Sequence, residues 1–107
     1  MRSGKLIVAC VSVAALLIVA LPAFAHSPIC NCYDNGDSTV TCEGGFSDGG
    51  SAEGVPLRVL DIRDRVLIDG KMETDSTYSF AKPDLEFHVV FDAGDSHVVT
   101  IYEEDIE

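Results

Sequence analysis

Apolar and polar residues alternate through five segments in the second half of the chain. These segments are 55–60, 65–69, 77–80, 85–91 and 98–102. A period of two places successive side chains on opposite faces of a half-buried β-strand. Turn signals separate the segments at intervals of roughly ten residues, which is typical of an antiparallel sandwich. One such turn is predicted at Asp69-Gly70.

The stretch before residue 55 is rich in Cys, Gly, Ser, Asp and Asn. Within it, Asp34-Asn35-Gly36-Asp37 predicts a turn, because Asn and Gly tolerate positive φ. The turn separates β-prone residues 30–33 from 38–43, and together they predict a hairpin. Residues 44–51 predict a flexible Gly/Ser loop with Phe46 buried. The acidic residues 103–107 predict a frayed, solvated tail.

A secretion signal is predicted over the first 25 residues. Arg2 and Lys5 precede an almost wholly apolar stretch, and Ala23-Phe24-Ala25 supplies the small residues that signal peptidase requires. Cleavage between Ala25 and His26 predicts a periplasmic protein. The alternative is a chain anchored by an uncleaved N-terminal helix, since residues 6–25 just suffice to span a bilayer.

Length and charge exclude several classes of function. Without the 25-residue signal, 82 of the 107 residues remain, too few for a Rossmann fold or a TIM barrel. Two of the seven basic residues lie in the signal and all 18 acidic residues follow it. The mature part therefore carries 5 basic and 18 acidic residues, a charge of −13. Such a surface repels nucleic acid and anionic membranes, so neither is predicted as a partner.

These observations predict an all-β protein, with a single antiparallel β-sandwich preceded by a helical signal peptide. The predicted organisation is the signal at 1–25, a cysteine-bearing hairpin and loop at 26–54, and the sandwich body with its acidic tail at 55–107. The last two segments are predicted to form one domain, because the mature chain has room for only one.

A transition-metal site is predicted at the new N-terminus. His26 offers a free amine and an imidazole nitrogen from one residue, a pair that chelates nickel, cobalt or copper. An ordinary mobile terminus is the alternative. His97 follows a glycine-containing turn and opens the last strand, from where it can reach the same site. His88 lies mid-strand and is predicted to be half-exposed and without a role.

Three cysteines remain after Cys10 leaves with the signal. Outside the cytoplasm paired cysteines usually oxidise. Cys30 and Cys32 face the same side of a strand, and the hairpin turn places one or the other opposite Cys42. A structural disulfide that closes a loop of about 11–13 residues is favoured and contributes roughly 2–3 kcal/mol. The third cysteine stays free, pairs between molecules, or joins a thiolate metal site.

The sequence predicts no enzyme. It contains no nucleophile elbow, no zinc-protease helix motif and no P-loop. The run from Asp34 to Thr39 looks like part of a calcium loop, but it lacks the 12-residue spacing and the closing Glu. A turn is therefore favoured there.

Three stretches carry a family resemblance: Gly54-Val55-Pro56-Leu57-Arg58-Val59-Leu60-Asp61, Val66-Leu67-Ile68-Asp69-Gly70-Lys71 and Tyr78-Ser79-Phe80. They resemble the carboxypeptidase-regulatory-like (transthyretin-like) β-sandwich family, which reads Gly-x-Pro-apolar-x-apolar, a glycine hairpin, a Thr-Asp turn and an aromatic strand. Here the Thr-Asp turn, Thr74-Asp75, is short and lacks its glycine. The resemblance covers about residues 53–102 and implies a transthyretin-like or Ig-like sandwich, in a family whose domains are mostly non-catalytic.

A second resemblance covers the mature chain and is carried by His26, Cys30-Asn31-Cys32-Tyr33-Asp34-Asn35-Gly36, Cys42-Glu43-Gly44-Gly45-Phe46-Ser47-Asp48-Gly49, and Phe91-Asp92-Ala93-Gly94 before His97. These residues resemble small bacterial periplasmic proteins linked with cobalt/nickel uptake transporters. The resemblance implies an accessory domain that binds or delivers a transition metal, with the membrane transporter as its partner. The metal ligands would come from the two histidines and from any unpaired cysteine among the three. The alternative is a structural or protein-interaction module without metal, stabilised by a disulfide.

Overall fold

The structure is a computed structural model, and it describes residues 27–107. The predicted signal peptide, its cleavage site and His26 lie outside the described residues. Within residues 27–107, no helix is both long enough and apolar enough to span a membrane.

Each of the seven β-prone segments forms a strand. The strands are β1 (Pro28–Asp34), β2 (Thr39–Phe46), β3 (Pro56–Asp61), β4 (Val66–Lys71), β5 (Thr77–Ala81), β6 (Phe87–Asp92) and β7 (Val98–Tyr102). A single turn of 3₁₀ helix, Glu103–Asp105, follows β7. The period-two alternation therefore located the strands to within a few residues.

The strands form two antiparallel sheets, one of three strands in the order β1-β2-β5 and one of four in the order β4-β3-β6-β7. This confirms the all-β class and the antiparallel sandwich. The N-terminal hairpin does not pack on the sandwich as an extra layer. Its β2 strand pairs with β5, so the hairpin supplies two of the three strands of one sheet.

The core lies between the sheets and comes from alternate positions of the central strands. Leu57 and Val59 of β3 are fully buried, and so are Val89 and Phe91 of β6, while the residues between them stay partly exposed. Burying such a side chain contributes roughly 1.5–3 kcal/mol. The opposite sheet contributes Val40, Phe80 and the three cysteines.

The turn predicted at Asp69-Gly70 is wrong, because both residues lie inside β4. Gly70 faces the aromatic ring of Tyr78 so closely that a Cβ atom there would lie 2.4 Å from Tyr78 Cζ. The glycine therefore marks a close approach of the backbone to a side chain, which is the other common meaning of glycine within a strand.

The turn that joins β3 to β4 is built around the buried carboxylate of Asp61. Its Oδ1 accepts hydrogen bonds from the backbone N–H groups of Arg63 and Arg65, both at 2.9 Å, and its Oδ2 accepts one from Arg65 Nε at 2.7 Å. The backbone N–H of Arg65 is the first cause that holds the pKa of Asp61 below its usual value. The negative charge of Asp61 can be buried because three N–H donors form hydrogen bonds to its carboxylate.

Candidate functional site: a cluster of three cysteines

The β1–β2 turn sets which cysteines meet. Gly36 adopts a φ of 81°, its N–H donates to Asp34 Oδ1 at 2.8 Å, and Asn35 N donates to Thr39 O at 3.0 Å. The predicted turn is thus confirmed. The resulting register places Cys32 directly opposite Cys42.

A disulfide joins Cys32 to Cys42, and Cys30 is left as a free, buried thiol. The predicted structural disulfide is confirmed. The register also selects the pair, since Cys30 lies opposite Gly44 rather than opposite a cysteine. Because Cys30 and Cys32 are two residues apart on one strand, both side chains point into the sandwich.

The three sulfur atoms form one compact group, all within 4.8 Å of one another. Their residues are almost fully enclosed, with 6% of Cys30, 3% of Cys32 and none of Cys42 exposed. Within residues 27–107, this is the one group of three or more His, Cys, Asp or Glu side chains close enough to hold a metal ion.

Burial raises the pKa of the Cys30 thiol from 9.0 to about 12. The thiolate, not the thiol, is the nucleophile and the metal ligand. Cys30 is therefore protonated and unreactive at neutral pH, although it lies beside a disulfide.

A groove of about 180 Å³ runs between β1 and β7 beside the cluster, with Cys30, Cys32 and Ile101 among its lining residues. Glu107 also lines the groove and pairs with β1. Its N–H donates to Cys32 O at 3.2 Å, and its carbonyl accepts from Asp34 N at 3.1 Å. The predicted frayed tail is therefore wrong for Glu107, because the free edge of β1 offers it two backbone partners.

Gly44, which lies opposite Cys30 on β2, leaves room for core side chains from outside the hairpin. A Cβ atom there would lie 2.6 Å from Phe91 Cε2 and 3.1 Å from Ala52 Cβ. The predicted Gly/Ser loop is therefore wrong at its start, since Gly44, Gly45 and Phe46 continue β2. A glycine run indicates a flexible loop, and no local pattern reveals the Phe91 ring that packs against Gly44.

The histidines do not join the cysteines in the described residues. His97 is exposed in the turn before β7 and is not part of the sulfur group. His88 is more enclosed than predicted, with 16% of its side chain exposed, Nε2 at 3.2 Å from Asp64 Oδ1 and its ring 5.9 Å from that of Tyr102. The metal role predicted for His26 lies outside the described residues and stays a prediction.

The ionisation of Cys30 predicts a pH dependence of stability. The thiol ionises near pH 9.0 in the unfolded chain but only near about 12 in the folded one, so the folded state holds its proton more tightly. This stabilisation is complete below pH 9.0 and is lost as the pH rises towards about 12, at up to about 1.4 kcal/mol per pH unit.

Urea unfolding above and below that pH, on the wild type and on Cys30→Ala, measures the effect. The variant differs from the wild type only in lacking the thiol, so the difference between the two curves isolates its contribution. Equal slopes in the two proteins would contradict the prediction.

The comparisons with known proteins identify no relative of this chain. No protein-family model, no curated protein and no solved structure matches the chain. The two resemblances drawn from the sequence stay predictions, whereas the antiparallel sandwich and the cysteine cluster rest on the structure itself.

Proposed function

We propose that this chain is a non-catalytic periplasmic accessory protein that binds or delivers a transition metal for a nickel or cobalt uptake transporter. One observation carries the metal-binding part of the proposal, the grouping of the sulfurs of Cys30, Cys32 and Cys42 within 4.8 Å. The choice of nickel or cobalt rests on the nitrogen donors predicted at His26. A dithiol reductant that supplies two electrons and two protons converts the Cys32–Cys42 bridge into two thiols beside that of Cys30. A bound metal ion then displaces the thiol protons, and the resulting thiolates are strong ligands for soft transition metals. Metal binding at the cluster therefore depends on its redox state.

The donor atoms decide which metal suits the cluster. Three sulfurs favour Cu(I) among copper, nickel and cobalt, because soft ligands select soft ions. Nickel and cobalt are better served by nitrogen, which His26 offers through its amine and imidazole. The backbone N–H of Ser27, the next residue, donates to Ser47 Oγ at 2.8 Å, and the carbonyl of Ser27 accepts from the backbone N–H of Ser47 at 2.9 Å. The cysteine site and the predicted His26 site differ in their donor atoms and are tested separately.

The surface charge supports a role with cations. The described residues carry 5 basic and 18 acidic side chains. A field of that sign raises the local concentration of any cation near the protein, without selecting one metal over another. Selection is left to the donor atoms of the two sites.

The test is an anaerobic titration with Cu(I) against a competing chelator, on oxidised and on reduced protein. The reduced protein is expected to retain one Cu(I) with thiolate-to-metal absorption, and the oxidised protein to retain none. Reduced Cys30→Ser, which removes one ligand and no disulfide, is the matched control and should bind more weakly. If reduced wild type binds no better than this variant, the cysteine site is excluded.

The His26 site has its own test. Adding one residue before His26 removes the amine from the chelate, so affinity for Ni²⁺ and Co²⁺ is expected to fall sharply while Cu(I) binding stays unchanged. An unchanged Ni²⁺ and Co²⁺ affinity would exclude the N-terminal site.

A second candidate function is a structural or protein-interaction module without metal. The observation in its favour is the Cys32–Cys42 disulfide, which leaves Cys30 as the one thiol of the described residues, buried and protonated. This candidate expects only weak cation binding by the acidic surface, which salt suppresses.

A further inference from the structure

The solvent face of the four-stranded sheet carries an apolar strip near one end. The strand registers align one outward residue from each of the four strands at the same level, in the order Val66, Leu60, His88 and Tyr102. A bulge in the β3–β4 pairing places Val66 opposite Leu60 at this level. Val66 and Tyr102 are 53% and 54% exposed. A contiguous row of exposed apolar groups marks an interaction surface, whereas single ones are ordinary.

The apolar strip is confined to one row of the sheet. The neighbouring row on the same face consists of Asp69, Arg58, Val90 and Thr100. In that row Arg58 Nε lies 3.5 Å from Asp69 Oδ1, so an ion pair borders the strip on this side. The strip is therefore a discrete feature rather than part of a uniformly apolar face.

A groove of about 310 Å³ opens at the end of the strip that holds His88 and Tyr102. Ile62, which is 69% exposed, also lines it. His88 Nε2 lies 3.2 Å from Asp64 Oδ1, and the His88 ring lies 5.9 Å from that of Tyr102. These contacts hold the two rings side by side while about half of Tyr102 stays exposed to solvent.

The charge of the groove is negative. Its lining includes no Lys or Arg of the described residues but four carboxylates, those of Asp64, Glu86, Glu103 and Glu104. Glu103 Oε1 accepts a hydrogen bond from the backbone N–H of Phe87 at 3.3 Å. Glu86 and Glu104 are exposed, and their side chains form no hydrogen bond or ion pair with another residue of 27–107. A cation in the groove therefore meets open carboxylates beside an aromatic ring, which bind it through charge and through the ring face.

We propose that the apolar strip and its groove bind an extended cationic segment of a partner protein, with an arginine on the ring of Tyr102 and aliphatic side chains over Leu60 and Val66. Three strand spacings spread the strip over about 14 Å. An extended chain places alternate side chains on one face about 6.8 Å apart, so about five residues cover the strip. The matching pattern is Arg-x-Leu-x-Leu, in which the arginine and both leucines face the sheet.

Charge favours this occupant over a second copy of the chain. Two copies packed through the strip would bring their groove carboxylates together, and like charges repel. Arginine suits the groove better than lysine, because its planar guanidinium stacks on a ring and pairs with carboxylates at the same time. The groove shares no residue with the one beside the cysteine cluster. The inference therefore goes beyond the proposed metal function and does not depend on it.

The test is an NMR titration of the isotope-labelled protein with the blocked peptide Arg-Ser-Leu-Ser-Leu. The amide signals of His88 and Tyr102 are expected to shift and saturate, with a dissociation constant on the order of 1 mM. Tyr102→Ala removes the ring and should weaken binding roughly fivefold. Val98→Ala is the matched control, because Val98 is 48% exposed on the same face of β7 but two rows away. It should bind as wild type does.

A second pair of variants separates the groove from the general acidic surface. Glu86→Gln combined with Glu104→Gln removes two groove charges and should weaken binding roughly fivefold. Glu53→Gln combined with Glu73→Gln removes the same charge at exposed residues outside the groove and should leave the affinity unchanged. A peptide with glutamate in place of arginine should not bind. The dispersion of the NMR signals checks that each variant is folded.

Three results would overturn the proposal. One is the absence of any shift in the strip at peptide concentrations on the order of 10 mM. Another is equal weakening by the two pairs of glutamine variants, which would assign binding to the acidic surface as a whole. The third is a wild type that sediments as a dimer and in which Tyr102→Ala, but not Val98→Ala, gives monomers, which would assign the strip to a second copy.

Discussion

Replacing Cys32 and Cys42 together by alanine is expected to lower the free energy of unfolding by about 3 kcal/mol. The bridge joins residues ten apart in sequence and restricts the unfolded chain to conformations in which they meet. A domain of this size has a total stability of roughly 4–12 kcal/mol, so the loss is a quarter or more of the whole. The melting temperature should fall by on the order of 15 °C.

Thermal and urea unfolding, each with and without reductant, measure this effect. Wild type should lose about as much stability in reductant as the double variant loses by mutation, and the double variant should not respond to reductant. Both cysteines are replaced because a single replacement would leave a free thiol that can form a new disulfide with Cys30. Cys30→Ala, which keeps the bridge, should retain its response to reductant. A double variant as stable as wild type would contradict the expected role of the bridge.

The same measurement bears on the metal proposal. A three-thiolate site exists only in a reduced protein that stays folded. A loss of about 3 kcal/mol from a total of roughly 4–12 leaves the fold intact in most of that range. If reduction unfolds the chain, the cysteines serve stability alone and the interaction module is the better account.

The sandwich could be predicted because its strands are half-buried. Leu57 and Val59, or Phe87 and Val89, alternate with partly exposed residues since each strand presents one face to the core and the other to solvent. This signal is local and can be recognised along the chain. The pairing of β2 with β5 across 38 residues has no local signal, so the hairpin's place in the three-stranded sheet could not be predicted.

The choice of cysteine pair depends on the β1–β2 register, which the sequence leaves open. A change of the β1–β2 register would place Cys30 rather than Cys32 opposite Cys42, and the register follows from hydrogen bonds within the turn. The pairing of Glu107 with β1 joins residues more than 70 positions apart and likewise has no local pattern. The prediction that His97 is a metal ligand rests on its place at a strand end, which carries no information on its distance from β1.

Replacing Phe91 by alanine is expected to lower the free energy of unfolding by about 3–5 kcal/mol. The side chain is fully buried on β6, and its ring lies against the backbone of Gly44 on the opposite sheet. It therefore joins the two sheets at the level of Cys30, which is paired with Gly44 across the hairpin. Truncation leaves a cavity in addition to the lost burial.

A double-mutant cycle with Gly44→Ala tests the contact itself. In the wild type the added Cβ would lie 2.6 Å from Phe91 Cε2, so Gly44→Ala alone should cost about 1–3 kcal/mol through overpacking. In the Phe91→Ala background the closest contact is gone and Met72 Cε, at 3.0 Å, and Ala52 Cβ, at 3.1 Å, remain, so the same change should cost less. Urea unfolding of the four proteins gives the coupling energy, expected to reach about 1–3 kcal/mol.

Gly45→Ala is the matched control, because the nearest atom to its added Cβ is Gly50 O at 3.8 Å. It should cost less than Gly44→Ala and show no coupling to Phe91. If Gly44→Ala costs the same in both backgrounds, the ring of Phe91 does not exclude the methyl group, and Met72 or Ala52 must limit the space instead. A coupling confined to Gly44 would show that the Phe91 ring holds the two sheets together at the position paired with Cys30 across the hairpin.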